Sequence, residues 1–470
     1  MTHTSVVGPH EAKSIVIAGL SGGAGKSMVS VGLTRALRDT GAAVIPFKKG
    51  PDYIDAGWLT AAAQSPCYNL DPYLMSAETV RYSFFSHLHG ADYGVVEGNR
   101  GIYDGVDYQG HYSTAALAKE LDLPVLLVVN CSKTTRTIGA LVLGCCAFDP
   151  DVRFAGVILN QIATSRHETI IRQTLEHYTP LPVLGIVPRM REDIFPMRHL
   201  GLTPQQEYCN ADAAVNKLAE LARSEFELEA ITAAMARVQT AAPPAPKVDT
   251  TASPLVIGVL RDMAFQFYYE ENLEMLQRDG ARLVAIDALS AECLPEELDA
   301  LYIGGGFPET SARQLAENVT FRASVRQQAE AGLPIYAECG GLIYLGRSIC
   351  IDDREYPLAN VFPIVFGLAK KPQAHGYSAF TVEAENSFYP VGTRVKGHEF
   401  RYSTIKEWSG EPAELVLKME RGAGFIQGRD GLKKKNVLAM YTHVLAPGSP
   451  EWSMGLLAAA RSYKKNKSSF

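Results

Sequence analysis

Residues 14–47 read SIVIAGLSGGAGKSMVSVGLTRALRDTGAAVIPF. A short apolar run at 14–19 ends in a glycine-rich loop. SMVSVGLTRALRDTG then shows helical spacing and closes on Gly41, a residue suited to a C-cap. A second apolar run follows at 42–47. Strand, helix and strand within about thirty-five residues make a βαβ unit. More buried-strand candidates follow in YGVVEG (93–98), LPVLLVVN (123–130), FAGVILN (154–160) and LPVLGIVP (181–188). Segments of helical length separate most of them. Strands that are continuously apolar, not alternating, belong to parallel sheets covered on both faces. The expectation is α/β: a doubly wound, nucleotide-binding parallel sheet over residues 1–225.

A chain of 470 residues exceeds what one hydrophobic core supports, so a second domain is expected. Residues 226–253 run through a helical stretch into Ala, Pro and Thr without apolar periodicity, and read as a linker. A new α/β pattern begins at PLVIGVL (254–260) and continues through ARLVAID (281–287), LDALYIGGG (298–306) and LPIYAECGG (333–341). Later segments such as YSAFTVEA and VLAMYTHVL look β-rich. This second domain is expected over 254–460, with RSYKKNKSSF (461–470) as a frayed, solvated tail.

Hydrophobic residues make up 47% of the chain and charged residues 20%, which fits a globular protein and excludes long disorder. A net charge of −6, mixed in sign, gives no footprint for nucleic acid. No apolar run is long enough to span a bilayer, and the N-terminus lacks the pattern of a secretory signal. Eight irregularly spaced cysteines make no disulfide framework, and Cys145 and Cys146 have no second pair at zinc spacing. A cytoplasmic protein with reduced thiols is expected.

GLSGGAGKS (19–27) lies between a strand and a helix, the context in which a phosphate loop has meaning. Gly22, Gly23, Gly25, Lys26, Ser27 and Met28 would bind ATP. Backbone N–H groups and the helix N-terminus would face the phosphates, and Lys26 would reach their outer oxygens. Five residues instead of four separate Gly19 from Gly25. Magnesium needs carboxylates as well as the Ser27 hydroxyl. FKKGPDYID (47–55) and EGNRGIYDG (97–105) each follow a strand and supply Asp52, Asp55, Glu97 and Asp104. Ser27, Asp52 and Glu97 are assigned to Mg²⁺.

Cys339 sits where the strand LPIYA would turn sharply into the helix GLIYLG, with Gly340 and Gly341 giving room for a nucleophile elbow. A helix N-terminus favours the thiolate. Gly305 and Gly306 in YIGGGFPE, with Gly340, offer N–H groups for an oxyanion hole. His443, ending the apolar run MYTHV, would be the base.

GGGFPE, AECGG and a late histidine resemble the class I glutamine amidotransferase domain. GLSGGAGKS resembles P-loop amide ligases of the dethiobiotin synthetase type. With NLDPY (69–73), RHLGL (198–202) and RDMAFQFYYEENLEML (261–276), the chain over about 14–460 resembles the cobyrinic acid a,c-diamide synthase family. That resemblance implies a ligase using ATP and L-glutamine to amidate the a and c carboxylates of cobyrinic or hydrogenobyrinic acid, a tetrapyrrole, through an acyl phosphate. It places Asp52, Tyr53, Glu97 and Asp104 at ATP, metal and the phosphorylated intermediate, and Asn160 at adenine. Arg198 and His199 would meet substrate carboxylates. Arg100 stands where hydrophobic residues are common in the family, and would bind a substrate carboxylate or pair with Asp107. Leu445 stands two residues beyond His443, where the ordinary class I triad has glutamate; this family is similar in lacking it. Rival readings are the same chemistry on nickel-sirohydrochlorin, and a partitioning-type ATPase with a non-catalytic amidotransferase-like domain. A homodimer is one expectation for assembly.

Overall fold

A computed structural model of the chain describes residues 10–190, 197–198, 201–202, 205, 208, 210–240, 242 and 254–467. The chain divides into two compact units, Met1–Pro244 and Ala245–Phe470. Among the described residues no helix is long and apolar enough to cross a membrane.

The first unit opens with β1 (His10–Gly19), α1 (Lys26–Arg38) and β2 (Val44–Lys49), the βαβ unit read from residues 14–47. It continues with α2 (Ile54–Ala63), β3 (Tyr68–Leu70), α3 (Ala77–His87) and β4 (Tyr93–Glu97). Helix–strand pairs follow: α4 (Thr114–Glu120) and β5 (Val125–Asn130), then α5 (Thr137–Phe148) and β6 (Phe154–Ile162). The last pair is α6 (Ser165–Tyr178) and β7 (Val183–Pro188). These strands pair in parallel in the order β3-β2-β4-β1-β5-β6-β7. Connections run to one side of β1 for β2–β4 and to the other for β5–β7. The carboxyl end of β1 is therefore a topological switch point, where such sheets bind ligands.

Beyond a two-residue pair, β8 (Met197–Arg198) with β9 (Gly201–Leu202), come α7 (Ala211–Glu225), α8 (Leu228–Ala234) and β10 (Ala236–Thr240). Here the structure corrects the expected linker at 226–253, whose first half is folded. β10 pairs antiparallel with His10–Ser14 of β1. Val238 and Thr240 are buried while Arg237 and Gln239 are exposed, a period-two pattern too short to stand out from its Ala-rich surroundings. Phe226, Ile231 and Met235 join the core beneath β1, with Val29, Leu33, Val95 and Leu126.

The second unit begins β11 (Leu255–Leu260), α9 (Glu270–Arg278), β12 (Ala281–Ile286) and β13 (Ala300–Ile303). Then come α10 (Ala312–Glu317), α11 (Val319–Glu330), β14 (Ile335–Glu338) and α12 (Gly340–Leu345). A β-rich stretch supplies β15 (Ser348–Ile351), β16 (Arg354–Pro357), β17 (Ile364–Leu368), β18 (Ala374–Val382) and β19 (Arg394–Arg401). It ends with β20 (Ser403–Trp408), β21 (Leu415–Arg421), β22 (Arg429–Lys434) and β23 (Val437–Met440), before α13 (Glu451–Lys467). One sheet runs β12-β11-β13-β14-β23-β22-β21-β18-β19, parallel as far as β23 and antiparallel beyond. A smaller sheet runs β16-β15-β17-β20.

Residues 461–467 are the last turns of α13 and not a frayed tail. Lys464 Nζ donates to Pro254 O at 2.8 Å and pairs with Asp299 at 3.3 Å, so the basic run is tethered. Trp452 of this helix packs edge-on to Tyr302 and Tyr336. A Cβ added at Gly455 would stand 1.7 Å from Phe388 O, a backbone atom that cannot yield cheaply.

Gly455→Ala is therefore expected to cost the second unit about 2 kcal/mol through overpacking. By calorimetry its transition should drop by roughly 4–8 °C. Gly144→Ala, in α5 with nothing within 4 Å of an added Cβ, should leave stability unchanged or raise it slightly.

Candidate active sites

In the first unit the loop between β1 and α1 closes at Gly25, which has φ 101° and caps α1 without any side-chain hydrogen bond. A residue with a Cβ is doubly disfavoured there, because the added atom would meet Asn160 Nδ2 at 2.2 Å. The first-turn N–H groups thus have no side-chain cap and form an anion-binding end of the helix. Gly22 and Gly23 are exposed at the loop tip. Lys26 is buried, and its Nζ donates to Ser21 O at 3.1 Å and Arg100 O at 2.8 Å, so the ammonium folds back along its own loop. Burial, followed by the Lys48 ammonium, pulls the Lys26 pKa down.

The Ser27 hydroxyl donates to Glu97 Oε1 at 2.8 Å, and Asp55 Oδ1 lies 3.4 Å away. Lys48, missed in the sequence, and Asp55, named there but not assigned to the metal, complete this cluster. Lys48, fully buried, places Nζ 2.8 Å from Glu97 Oε1 and 2.5 Å from Asp55 Oδ2. Burial opposes its charge, but Asp55 and Glu97 outweigh that and hold it above the usual lysine range. Asp52 stands one step back, with Oδ1 accepting from Asp55 N at 2.8 Å. Burial and then the Asp55 charge push its carboxyl up to about 7. The signal for Lys48 and Asp55 was FKKGPDYID itself, in which a lysine ends the strand and both aspartates follow.

The other expected residues are placed as follows. Met28 packs its side chain against two hydrophobic clusters, so only its backbone reaches the loop. Asn160 is buried, with Nδ2 donating to Ala24 O at 2.8 Å and Oδ1 accepting from Gln161 N at 2.8 Å, so its amide braces the phosphate loop. Asp104 is exposed and accepts from Gly101 N at 2.9 Å, which holds the turn after β4. Arg100 sits at φ 52° with its carbonyl turned to Lys26 and its side chain exposed. Tyr53 caps α2. Arg198 lies in β8, where only its backbone is described, and His199 lies outside the described residues.

Glu97 Oε2 is buried without a hydrogen-bond partner. An oxygen in that state suits a cation, and Ser27 and Asp55 stand beside it. Among the described residues no group of three or more His, Cys, Asp or Glu forms a metal cluster. Mg²⁺ commonly takes one or two protein carboxylates and completes its shell with phosphate oxygens and water.

In the second unit Cys339 stands between β14 and α12 at φ 47°, ψ −98°. A non-glycine residue with positive φ is strained, and such strain gathers at reactive sites. Cys339 N donates to Met440 O, and its Sγ lies 3.8 Å from Phe400 O. The His443 ring lies over Gly305, where an added Cβ would meet its Cε1 at 2.3 Å. Gly306 N comes within 3.0 Å of a Cβ built at Gly340, so the three glycines and the thiol share one small space. His443 Nδ1 faces Glu338 Oε2 at 3.8 Å, and the His398 ring stacks on it at 4.8 Å. Burial alone would push His443 down, but Cys339 and then Glu338 hold it up to about 9. His398 is kept neutral by burial and by the charge on His443. Glu338 and His398 were not singled out from the sequence, although AECGG displays the first.

The nucleotide-binding domain described as CobQ/CobB/MinD/ParA matches residues 15–200, and the CobB/CobQ-like glutamine amidotransferase domain matches 256–450. A cobyrinate a,c-diamide synthase of Magnetococcus marinus is 38% identical over 95% of this chain and 96% of its own. One from Dehalococcoides mccartyi is 37% identical over 96% and 98%. One from Archaeoglobus fulgidus is 37% identical over 93% and 95%.

Lys48→Met leaves buried carboxylates unpaired and is expected to destabilise the first unit by about 3 kcal/mol at pH 8. Burial raises the Glu97 pKa, so this acid gains its proton more readily folded than unfolded, and the deficit should narrow as pH falls. Urea unfolding at pH 8 and pH 5.5 checks both the cost and its direction.

Proposed function

The chain belongs to the cobyrinate a,c-diamide synthase family, and from that premise we propose that it amidates the a and c side-chain carboxylates of cobyrinic acid, using ATP and glutamine. The observation that carries the reading is the strained Cys339 against His443, in one chain with a phosphate loop that opens on Ser27 and Glu97. A partitioning ATPase has no use for such a thiol. The nickel-sirohydrochlorin reading has no support among the named relatives.

In the second unit Cys339 Sγ attacks the side-chain carbonyl carbon of glutamine. The oxyanion is received by N–H groups of Gly306 and Gly340. His443 carries the thiol proton to the leaving nitrogen, the C–N bond breaks, and ammonia departs. Water then adds to the thioester, giving a proton to His443. The C–S bond breaks, glutamate leaves, and the thiol is restored.

In the first unit the loop N–H groups and Lys26 hold the ATP phosphates. Ser27, Glu97 and Asp55 would hold Mg²⁺, with Asp52 behind them. Bound there, Mg²⁺ supplies neutralisation of phosphate charge. A substrate carboxylate oxygen takes the γ-phosphoryl group and ADP leaves. Ammonia attacks the acyl carbon, the C–O bond to phosphate breaks, and the nitrogen passes its extra proton to the departing phosphate to leave the amide. Phosphorylation is needed because a carboxylate oxygen is a poor leaving group, and positioning with charge neutralisation supplies most of the rate. The seven described cysteines are all free, which suits the cytoplasm.

Cys339→Ser should lower glutamine-driven amidation by on the order of 10³-fold or more, while amidation from added ammonium stays near the unsubstituted rate. Glu97→Ala should reverse the pattern, losing amidation from either nitrogen source with glutaminase retained. Loss of both activities in Cys339→Ser would refute the division of labour. Assay with cobyrinic acid beside nickel-sirohydrochlorin tests the substrate, and turnover only of the latter overturns it.

A further inference from the structure

Resting on the glutaminase reading above, we propose that Glu338 is the carboxylate that positions His443, in place of the acid that Leu445 does not provide. Glu338 is the last residue of β14 and directly precedes the nucleophile. It pairs with Met440 of β23. Three residues further on, the chain brings His443 back over the end of β14.

The carboxylate is fixed at both oxygens. Oε2 accepts from the Tyr302 hydroxyl at 3.1 Å, and Oε1 accepts from Val444 N at 3.2 Å, the amide adjoining His443. Oε2 then faces His443 Nδ1 at 3.8 Å, and neither side chain is exposed beyond 2%. At that distance the contact is an ion pair and not a hydrogen bond, a looseness usual in catalytic contacts before substrate is seated. A hydroxyl and an amide do not neutralise a buried carboxylate; an imidazolium does. A proton on Nδ1 directed at Glu338 leaves Nε2 for the thiol, the tautomer a general base requires.

The other groups around the ring do not serve. His398, on β19, stacks on His443 and shares a hydrogen bond between its Nδ1 and the Tyr269 hydroxyl at 3.1 Å. It is neutral and presents a ring face. Glu399, next on β19, is bound by the N–H groups of Ala423 and Gly424. Cys339 is the reaction partner. Glu338 alone of these combines charge, a fixed position and an aim at Nδ1.

The test is full-length Glu338→Gln, which preserves shape and removes charge. Glutaminase kcat should fall by on the order of 10²-fold or more, with KM changed by less than about threefold. Ammonium-driven amidation should be unaltered. Alkylation of Cys339 by iodoacetamide should slow at pH 7, where Glu338 no longer favours the thiolate–imidazolium pair, and match the unsubstituted protein near pH 10. Unchanged kcat, or alkylation slowed equally at both pH values, overturns the proposal. Tyr302→Phe keeps the charge and loosens Oε2. It should lower kcat by less than about tenfold and leave the alkylation profile in place; a profile displaced as far as in Glu338→Gln overturns the proposal too. An unsubstituted chain that hydrolyses no glutamine refutes the underlying reading instead, and the alkylation profile still decides on Glu338.

Discussion

In a parallel sheet covered on both faces, a strand can present a polar side chain to a ligand only where it ends, and the backbone there must turn at once into a crossover. Both units obey that constraint. β2 ends at Lys48 and Lys49, β4 at Glu97 and β14 at Glu338, all of them buried. Charges in such positions persist only when paired and hydrogen-bonded. Lys48 meets Asp55 and Glu97 at 2.5 and 2.8 Å, and Glu338 holds Tyr302, Val444 and the edge of His443. Turns at strand ends carry the backbone cost, at φ 101° for Gly25 after β1 and φ 47° for Cys339 after β14. The two units differ in what relieves that cost. At Gly25 the absent side chain removes it, whereas Cys339 must keep its thiol and bears the strain.

The first unit must also keep its phosphate loop open beside a cluster of carboxylates. Lys48 resolves this by standing among the carboxylates as a resident positive charge. Its ammonium shares Glu97 Oε1 with the Ser27 hydroxyl, which leaves Oε2 turned elsewhere and without a partner. The two oxygens of one carboxylate are thus used differently: one secures the fold and the other is left without a hydrogen bond. Asn160 contributes from the opposite side of β1, bonding Ala24 O and filling the space beside Gly25. The loop is therefore shaped by contacts within the protein, the kind of preorganisation that lowers the ordering cost of binding.

Most of the fold could be read from continuous apolar runs, because a strand buried on both faces advertises itself by composition alone. β10 could not, since its signal is two buried positions, Val238 and Thr240, at the edge of a segment rich in Ala. The thiol and the phosphate loop were legible because glycines at fixed offsets mark turns that few other sequences make. Lys48 was hidden for the converse reason. A Lys–Lys pair resembles a solvated surface, and only the sheet register, with Lys48 opposite Glu97, shows that this one is interior. Asp55 and Asp52 illustrate the same limit. Both follow β2, but the start of α2 presents Asp55 to Ser27 and leaves Asp52 bonded to the helix backbone.

A carboxylate placed two residues after the histidine depends on the conformation of the segment that carries both. A carboxylate placed immediately before the cysteine is fixed to the strand that also fixes the thiol. β14 and β23 are adjacent and parallel, with Glu338 opposite Met440, so strand pairing alone sets the distance from acid and thiol to the histidine segment. The bond from Val444 N to Glu338 Oε1 closes that segment onto the strand a second time. Cys339, Glu338 and the His443 segment are thus held at the ends of two neighbouring strands of one sheet. The β-rich stretch after α12 meets the group from the other side through the paired backbones of His398 and His443. With Glu338 in the role proposed for it, no glutamate is called for beyond His443, and Leu445 is buried in the core.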